Sequence, residues 1–173
     1  MGRKRSTEEA SLRRFIDGAE DLAALAEDLP DGDLDLRSEP DGWTVREIIH
    51  HVSDDGDVWS MCIKKALATP GVLVRLEGFP GNEPWAEALA FARRDTGPAV
   101  RLIRAHRCYL AHVLEHFEGA WDRSIRLANA EGQVVREMSV REMVTMLTDH
   151  MLEHVETLKR TLAGGDEGRD SAA

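Results

Sequence analysis

Four long stretches of the sequence repeat apolar residues every three or four positions, the spacing of one face of an α-helix. They cover roughly residues 7–29, 43–68, 99–117 and 138–163, and turn-forming Pro and Gly residues separate them. Ala, Leu, Glu and Arg are common and β-branched runs are scarce, which also favours helix. Because each helix must bury its apolar face against the others, the pattern predicts an all-α fold, a four-helix bundle.

The segments between these stretches carry weaker signals. Residues 70–84 contain Gly-Pro-type turns and no clear period, so we expect a long loop there and a short helix over 85–91. Residues 119–137 hold two short apolar segments around Asn129-Ala130-Glu131-Gly132, which predicts a hairpin or an irregular excursion before the last helix. We expect a single domain over residues 1–163 and a disordered C-terminal tail over 164–173.

Composition limits the partners and the location of the chain. Its 173 residues carry a net charge of -10, which argues against nucleic acid as a partner because phosphates would be repelled. No apolar run approaches the roughly 20 residues that span a bilayer, and the basic start is not followed by a signal-peptide core. We therefore expect no membrane association and a cytoplasmic location, where Cys62 and Cys108 are expected to be buried thiols.

Two histidines near the end of the chain have the spacing of a metal-binding pair. His150 and His154 are one helical turn apart, so both rings can face one point. They continue the apolar face that includes Leu147 and Met151 of the last predicted helix. A buried imidazole must satisfy both ring nitrogens, so the pair is either hydrogen-bonded within the core or bound to a metal.

Helical phase selects a third histidine on the second predicted helix. His51 lies near the boundary of the core and Asp55, one turn later, falls on the inward side, whereas His50 lies opposite the apolar face and is expected to be solvated. Three neutral imidazoles suit Zn²⁺, Ni²⁺ or Fe²⁺ and leave a position for water or substrate. The sequence thus makes His51 the candidate third ligand for a divalent-metal site with His150 and His154, and hydrogen-bonded core histidines are the equal alternative.

Three further residues are candidates for catalytic roles. Glu153, beside His154, is a candidate general base, and Asp55 is an alternative proton acceptor. His106 falls within the apolar face of the third predicted helix, where it is either a catalytic or substrate contact or a hydrogen-bonded core histidine. His112 and His116 repeat the His-x-x-Glu-His spacing of the last helix, but they leave the core face and are predicted to be surface residues.

The stretch from Gly42 to Asp54, G-W-T-V-R-E-I-I-H-H-V-S-D, resembles the second-helix signature of the DinB superfamily, especially its YfiT-like branch. Residues 85–87, 105–109 and 149–155 extend the resemblance, which covers about 34–158. The resemblance implies a four-helix bundle that holds one divalent metal through three histidines, by position His51, His150 and His154. It also implies a homodimer. YfiT-like relatives often carry another histidine shortly after the helix-2 aspartate, where this chain has Asp55-Gly56-Asp57.

The expected function is that of a metal-dependent enzyme acting on a small-molecule substrate. Activities in the resembling superfamily include thiol S-transferases with bacillithiol-type cofactors and a mycothiol-dependent isomerase, and a hydrolase role is presumed for the YfiT-like branch. The metal is therefore expected to activate a low-molecular-weight thiol or a water, with residues 70–84 as a lid. The alternative is a non-catalytic helical module that binds a ligand or dimerises, with structural histidines. A peptidase with the inverzincin spacing is a third interpretation, and it needs a further acidic ligand.

Overall fold

The computed structural model describes residues 2–75 and 77–170, with side chains over 6–75 and 77–165. Four long helices form the predicted bundle, and a small three-stranded sheet packs beside it. The elements in chain order are α1 Gly2–Ala26, α2 Asp31–Leu34, α3 Val45–Ala68, β1 Val72–Arg75, α4 Asn82–Ala88, a 3-10 turn Phe91–Arg93, α5 Gly97–His116, a 3-10 turn Ala120–Asp122, β2 Ser124–Ala128, β3 Val134–Ser139 and α6 Val140–Asp170.

The four long helices enclose one core in two halves. Helices α1 and α3 each pack against both α5 and α6, so these four helices surround a common interior. The half next to the sheet includes Phe15, Ile63, Leu110, Leu147 and Ile125. The other half includes Leu22, Ile49, Ile103, Met151 and Leu158.

Capping boxes fix the starts of the two helices that carry the candidate metal ligands. At α3 the Thr44 N–H donates to Glu47 Oε2 (2.8 Å) and the Glu47 N–H donates to Thr44 Oγ1 (3.2 Å). At α6 Ser139 and Glu142 make the same pair of bonds at 2.7 Å and 3.2 Å. Each box satisfies backbone donors that a helix start otherwise leaves unpaired, and so sets the helical phase from its first residue.

The sheet confirms one prediction and corrects another. Strands β2 and β3 form the predicted hairpin, with Ile125 paired to Met138. Strand β1 pairs in parallel with β2, with Val72 opposite Ile125. The predicted loop over 70–84 is therefore wrong, because it contains β1 and the start of α4. The alternation of exposed Leu73, buried Val74 and exposed Arg75 is only three residues long, too short to identify a strand by period.

The end of one helix and the exposure of one cysteine also differ from expectation. Helix α6 continues through Gly164 and Gly165 to Asp170, beyond its predicted end at 163, and 171–173 lie outside the described residues. Cys62 is buried as predicted, but Cys108 is exposed on the outer side of α5. The single domain and the disordered tail stay predictions. Within the described ranges, we find no helix with the length and apolarity needed to cross a membrane.

Candidate metal centre

Three imidazoles from two helices converge at the interface of α3 and α6. His150 Nε2 lies 3.2 Å from His51 Nε2 and 3.0 Å from His154 Nε2. Among the residues described by the structure, these three form the one group of His, Cys, Asp or Glu whose ligand atoms all lie within 4.8 Å of one another. Because His150 and His154 are four residues apart on α6, a single helical turn brings both rings to His51.

The spacing of the nitrogens fits a shared cation better than a hydrogen-bonded cluster. A neutral imidazole nitrogen offers either one N–H or one lone pair, so hydrogen bonding can satisfy one of the two contacts that His150 Nε2 makes. Imidazole nitrogens bound to one tetrahedral ion at about 2.0–2.1 Å lie roughly 3.3 Å apart, close to the two separations from His150 Nε2, and the ligand atoms of the third pair, His51 and His154, lie within 4.8 Å of each other. The three residues therefore suit a divalent ion that accepts one lone pair from each ring.

Burial keeps two of these rings neutral, which is the form that binds a metal. The pKa of His154 is lowered to about 3 by burial, with further lowering by His150 and His51. The pKa of His51 is also lowered, mainly by burial, although Asp55 opposes that shift. A metal therefore displaces few protons from these rings at neutral pH, and this favours binding.

Trp43, just before α3, and Asp55, on α3, contact His51 and His150 from outside the three-histidine group. The rings of Trp43 and His51 pack edge to face, with their centroids 4.8 Å apart. Asp55 Oδ2 lies 3.3 Å from His150 Nδ1 and 3.8 Å from His51 Nε2. Trp43 thus covers one side of His51, and Asp55 places a carboxylate behind His150.

A sequence model described as the DinB superfamily matches residues 14–158. The chain belongs to the DinB superfamily. Comparison with curated protein sequences finds no match.

Solved structures similar to this DinB-superfamily chain share its fold. YfiT from Bacillus subtilis, described as a probable metal-dependent hydrolase with an unusual four-helix bundle topology, aligns with a TM-score of 0.77 and 15% identity. That alignment covers 89% of this chain and 85% of YfiT. A mycothiol-dependent maleylpyruvate isomerase aligns with a TM-score of 0.65 and 16% identity over 87% of this chain and 60% of the isomerase. At these identities, the alignments establish the architecture of the bundle.

Two candidate catalytic residues, Glu153 and His106, lie outside the three-histidine group. Glu153 is exposed on α6, and its role as a base stays a prediction. His106 is half-buried, with its Nε2 3.1 Å from Asp57 Oδ1, and its catalytic role also stays a prediction. Its expected place in the core face of α5 is wrong, because the next residue, Arg107, fills that position and is only 4% exposed. The apolar period of the sequence did not indicate that Arg107 is buried, because arginine is not an apolar residue.

His50 does not join the site, but its expected exposure is wrong. It is 1% exposed, because the 3-10 turn Phe91–Arg93 folds over this face of α3. Its ring lies 5.4 Å from the Phe91 ring, and its Nε2 is 3.4 Å from the Arg94 carbonyl oxygen. His112 and His116 are exposed on α5, as predicted.

A groove next to the site shares Trp43 with it. The groove has a volume of about 570 Å³ and lies between the start of α3 and the segment that contains α4 and the following 3-10 turn. Trp43, Ala86 and Phe91 supply apolar lining, and the charged lining consists of two arginines and four carboxylates, Arg37, Arg93, Asp41, Glu47, Glu83 and Glu87. One indole ring thus contacts His51 and also lines a cavity large enough for a small molecule.

Proposed function

We propose that this chain is a metal-dependent enzyme in which His51, His150 and His154 hold one divalent cation, Zn²⁺, Ni²⁺ or Fe²⁺. The observation that carries the proposal is the double contact of His150 Nε2, at 3.2 Å and 3.0 Å to the other two rings. A cation bound there lowers the pKa of a bound thiol or water, and so supplies a nucleophile at neutral pH. Three protein ligands are typical of catalytic sites because they leave a position for that group.

The chain's own residues contribute binding and proton transfer. The groove beside Trp43 is the proposed place for a small-molecule substrate, since it adjoins the histidines on the side of His51. Glu153 is the proposed proton acceptor and His106 a proposed substrate contact, which requires the substrate to extend from this groove to the exposed side of α6 or to the edge of α5. We further propose that the chain acts as a cytoplasmic homodimer.

The proposed reaction is thiol S-transfer or hydrolysis. One structural neighbour is described as a probable metal-dependent hydrolase and another as a mycothiol-dependent isomerase, which supports a metal together with either water or a low-molecular-weight thiol. Thiol transfer needs a thiolate and hydrolysis needs a hydroxide, and a bound cation would favour the deprotonated form of either nucleophile, so the three-histidine group is compatible with each reaction.

Metal binding is tested on protein purified without a histidine tag, stripped with a chelator and titrated with Zn²⁺ by calorimetry. We expect one equivalent in the native chain and a large loss of affinity in His51→Ala. The matched control is the double variant His112→Ala, His116→Ala, because that pair has the same His-x-x-Glu-His spacing but is exposed. Binding of no metal, or loss of binding in the double variant alone, would contradict the proposal.

The reaction class is tested on the metal-loaded protein with two substrates. One assay supplies a small thiol with 1-chloro-2,4-dinitrobenzene as the electrophile, and the other supplies p-nitrophenyl acetate without a thiol. Metal-dependent turnover in the first assay supports thiol transfer, and in the second it supports hydrolysis. A protein that binds metal but turns over neither these substrates nor a wider panel of thiols, electrophiles and esters would favour a non-catalytic module.

A further inference from the structure

The two nitrogens of His150 face different chemical surroundings. Nε2 points to the nitrogens of His51 and His154, and Nδ1 lies 3.3 Å from Asp55 Oδ2. An ionised carboxylate can only accept hydrogen bonds, so the contact is favourable when Nδ1 carries the proton. In a neutral ring that leaves the lone pair on Nε2, the atom that faces the other two histidines.

Asp55 is placed outside the ligand group. Its Oδ2 is 3.8 Å from His51 Nε2, which is too long for a hydrogen bond. In the described part of the chain, the group whose ligand atoms lie within 4.8 Å of one another contains three histidines and no carboxylate. The carboxylate therefore contacts a ligand from behind, as in the carboxylate–histidine pairs that surround many metal ions.

A buried cation on α5 interacts with the charge of Asp55. Arg107 extends from α5 across the core, donates from Nη2 to the Leu147 carbonyl oxygen at 3.1 Å and lies with its guanidinium carbon 4.1 Å from the Phe15 ring centroid. Within the described residues, its buried Nη1 has no hydrogen-bond partner. Burial lowers the pKa of Arg107 to about 10, and the charge of Asp55 opposes that shift. The carboxylate of Asp55 thus stabilises the charged form of this buried guanidinium.

We propose that Asp55 is a positioning residue that holds His150 in the tautomer protonated at Nδ1, and so presents Nε2 as the metal-binding atom. The metal part of this assignment rests on the proposed function, whereas the tautomer is a property of the metal-free protein. Asp55 would thus act through His150 and would not itself contact the ion.

The tautomer is measured by long-range ¹H–¹⁵N NMR of the full chain labelled with ¹⁵N-histidine, in the presence of a chelator at pH 7.5. We expect the native His150 ring to be protonated at Nδ1 and unprotonated at Nε2. Asp55→Ala and Asp55→Asn should both increase the Nε2-protonated form, because neither side chain is a carboxylate acceptor. Asp57→Asn is the matched control, since Asp57 makes a similar contact with His106, at 3.1 Å, two residues along the same helix.

Zn²⁺ affinity supplies a second readout. We expect Asp55→Ala to weaken binding about 10–100-fold and Asp57→Asn to leave it unchanged. A native His150 protonated at Nε2, or an Asp55→Ala variant with the native tautomer and native affinity, would overturn the assignment. Failure of the native chain to bind Zn²⁺ would refute the proposed function, and the tautomer measurement would still decide the role of Asp55.

Discussion

Acidification should destabilise the metal-free protein, with a measurable contribution from His154. Its pKa falls from an ordinary value of 6.5 in the unfolded chain to about 3 in the folded chain, because the ring is buried beside two other histidines. Below pH 6.5 the unfolded chain binds a proton that the folded chain excludes, so stability is lost as the pH falls and the loss ends near pH 3. The free energy of unfolding falls by about 1.36 kcal/mol for each pH unit below 6.5. At pH 5, roughly 1.5 units lower, the chain has therefore lost about 2 kcal/mol of stability.

The assay is urea unfolding at pH 7.5, 6.5 and 5.0 in the presence of a chelator. The native chain should lose about 2 kcal/mol more between pH 7.5 and 5.0 than His154→Gln, because glutamine does not titrate. His112→Gln should follow the native chain, since His112 is exposed. If the native chain and His154→Gln lose the same free energy of unfolding, burial does not hold His154 neutral in the folded chain.

Other predictions concern metal, thiols and a helix cap. Zn²⁺ at about 100 times its dissociation constant should stabilise the fold by about 2.7 kcal/mol and raise Tm by about 5–10 °C, and scanning calorimetry should show no such shift for His51→Ala. A thiol reagent at pH 8 should react quickly with exposed Cys108 and slowly with Cys62, whose pKa is raised by burial, so Cys108→Ser should remove the fast phase. Thr44→Ala removes the α3 capping box and should lower the free energy of unfolding by about 1 kcal/mol in urea titrations, whereas Thr145→Ala, at an exposed position inside α6, should lower it less.

The sequence was sufficient where structure depends on local period. The i, i+4 spacing of His150 and His154 and the phase of His51 on its helix predict which three histidines meet, and the structure brings these three together. The bundle and both capping boxes are equally local, since each depends on residues within a turn or two of one another.

The sequence was insufficient where burial depends on distant segments. His50 is buried because Phe91 folds over it, and no pattern around His50 reports a residue 41 positions away. Strand β1 forms because it pairs with β2, some 50 residues later in the chain. A strand of four residues is too short to be recognised from an alternation of apolar and polar residues. Arg107 replaces His106 in the core because its guanidinium reaches the Leu147 carbonyl oxygen and the Phe15 ring, which are contacts from two other helices.

The three-histidine metal site is tested most directly by a crystal structure of metal-loaded protein with anomalous diffraction at the zinc, nickel and iron edges. We expect one ion bound by Nε2 of His51, His150 and His154, with Asp55 hydrogen-bonded to Nδ1 of His150 and absent from the coordination sphere. An ion held instead by His112 and His116, or no ion between the three histidines at saturating metal, would show that these histidines are not the metal ligands.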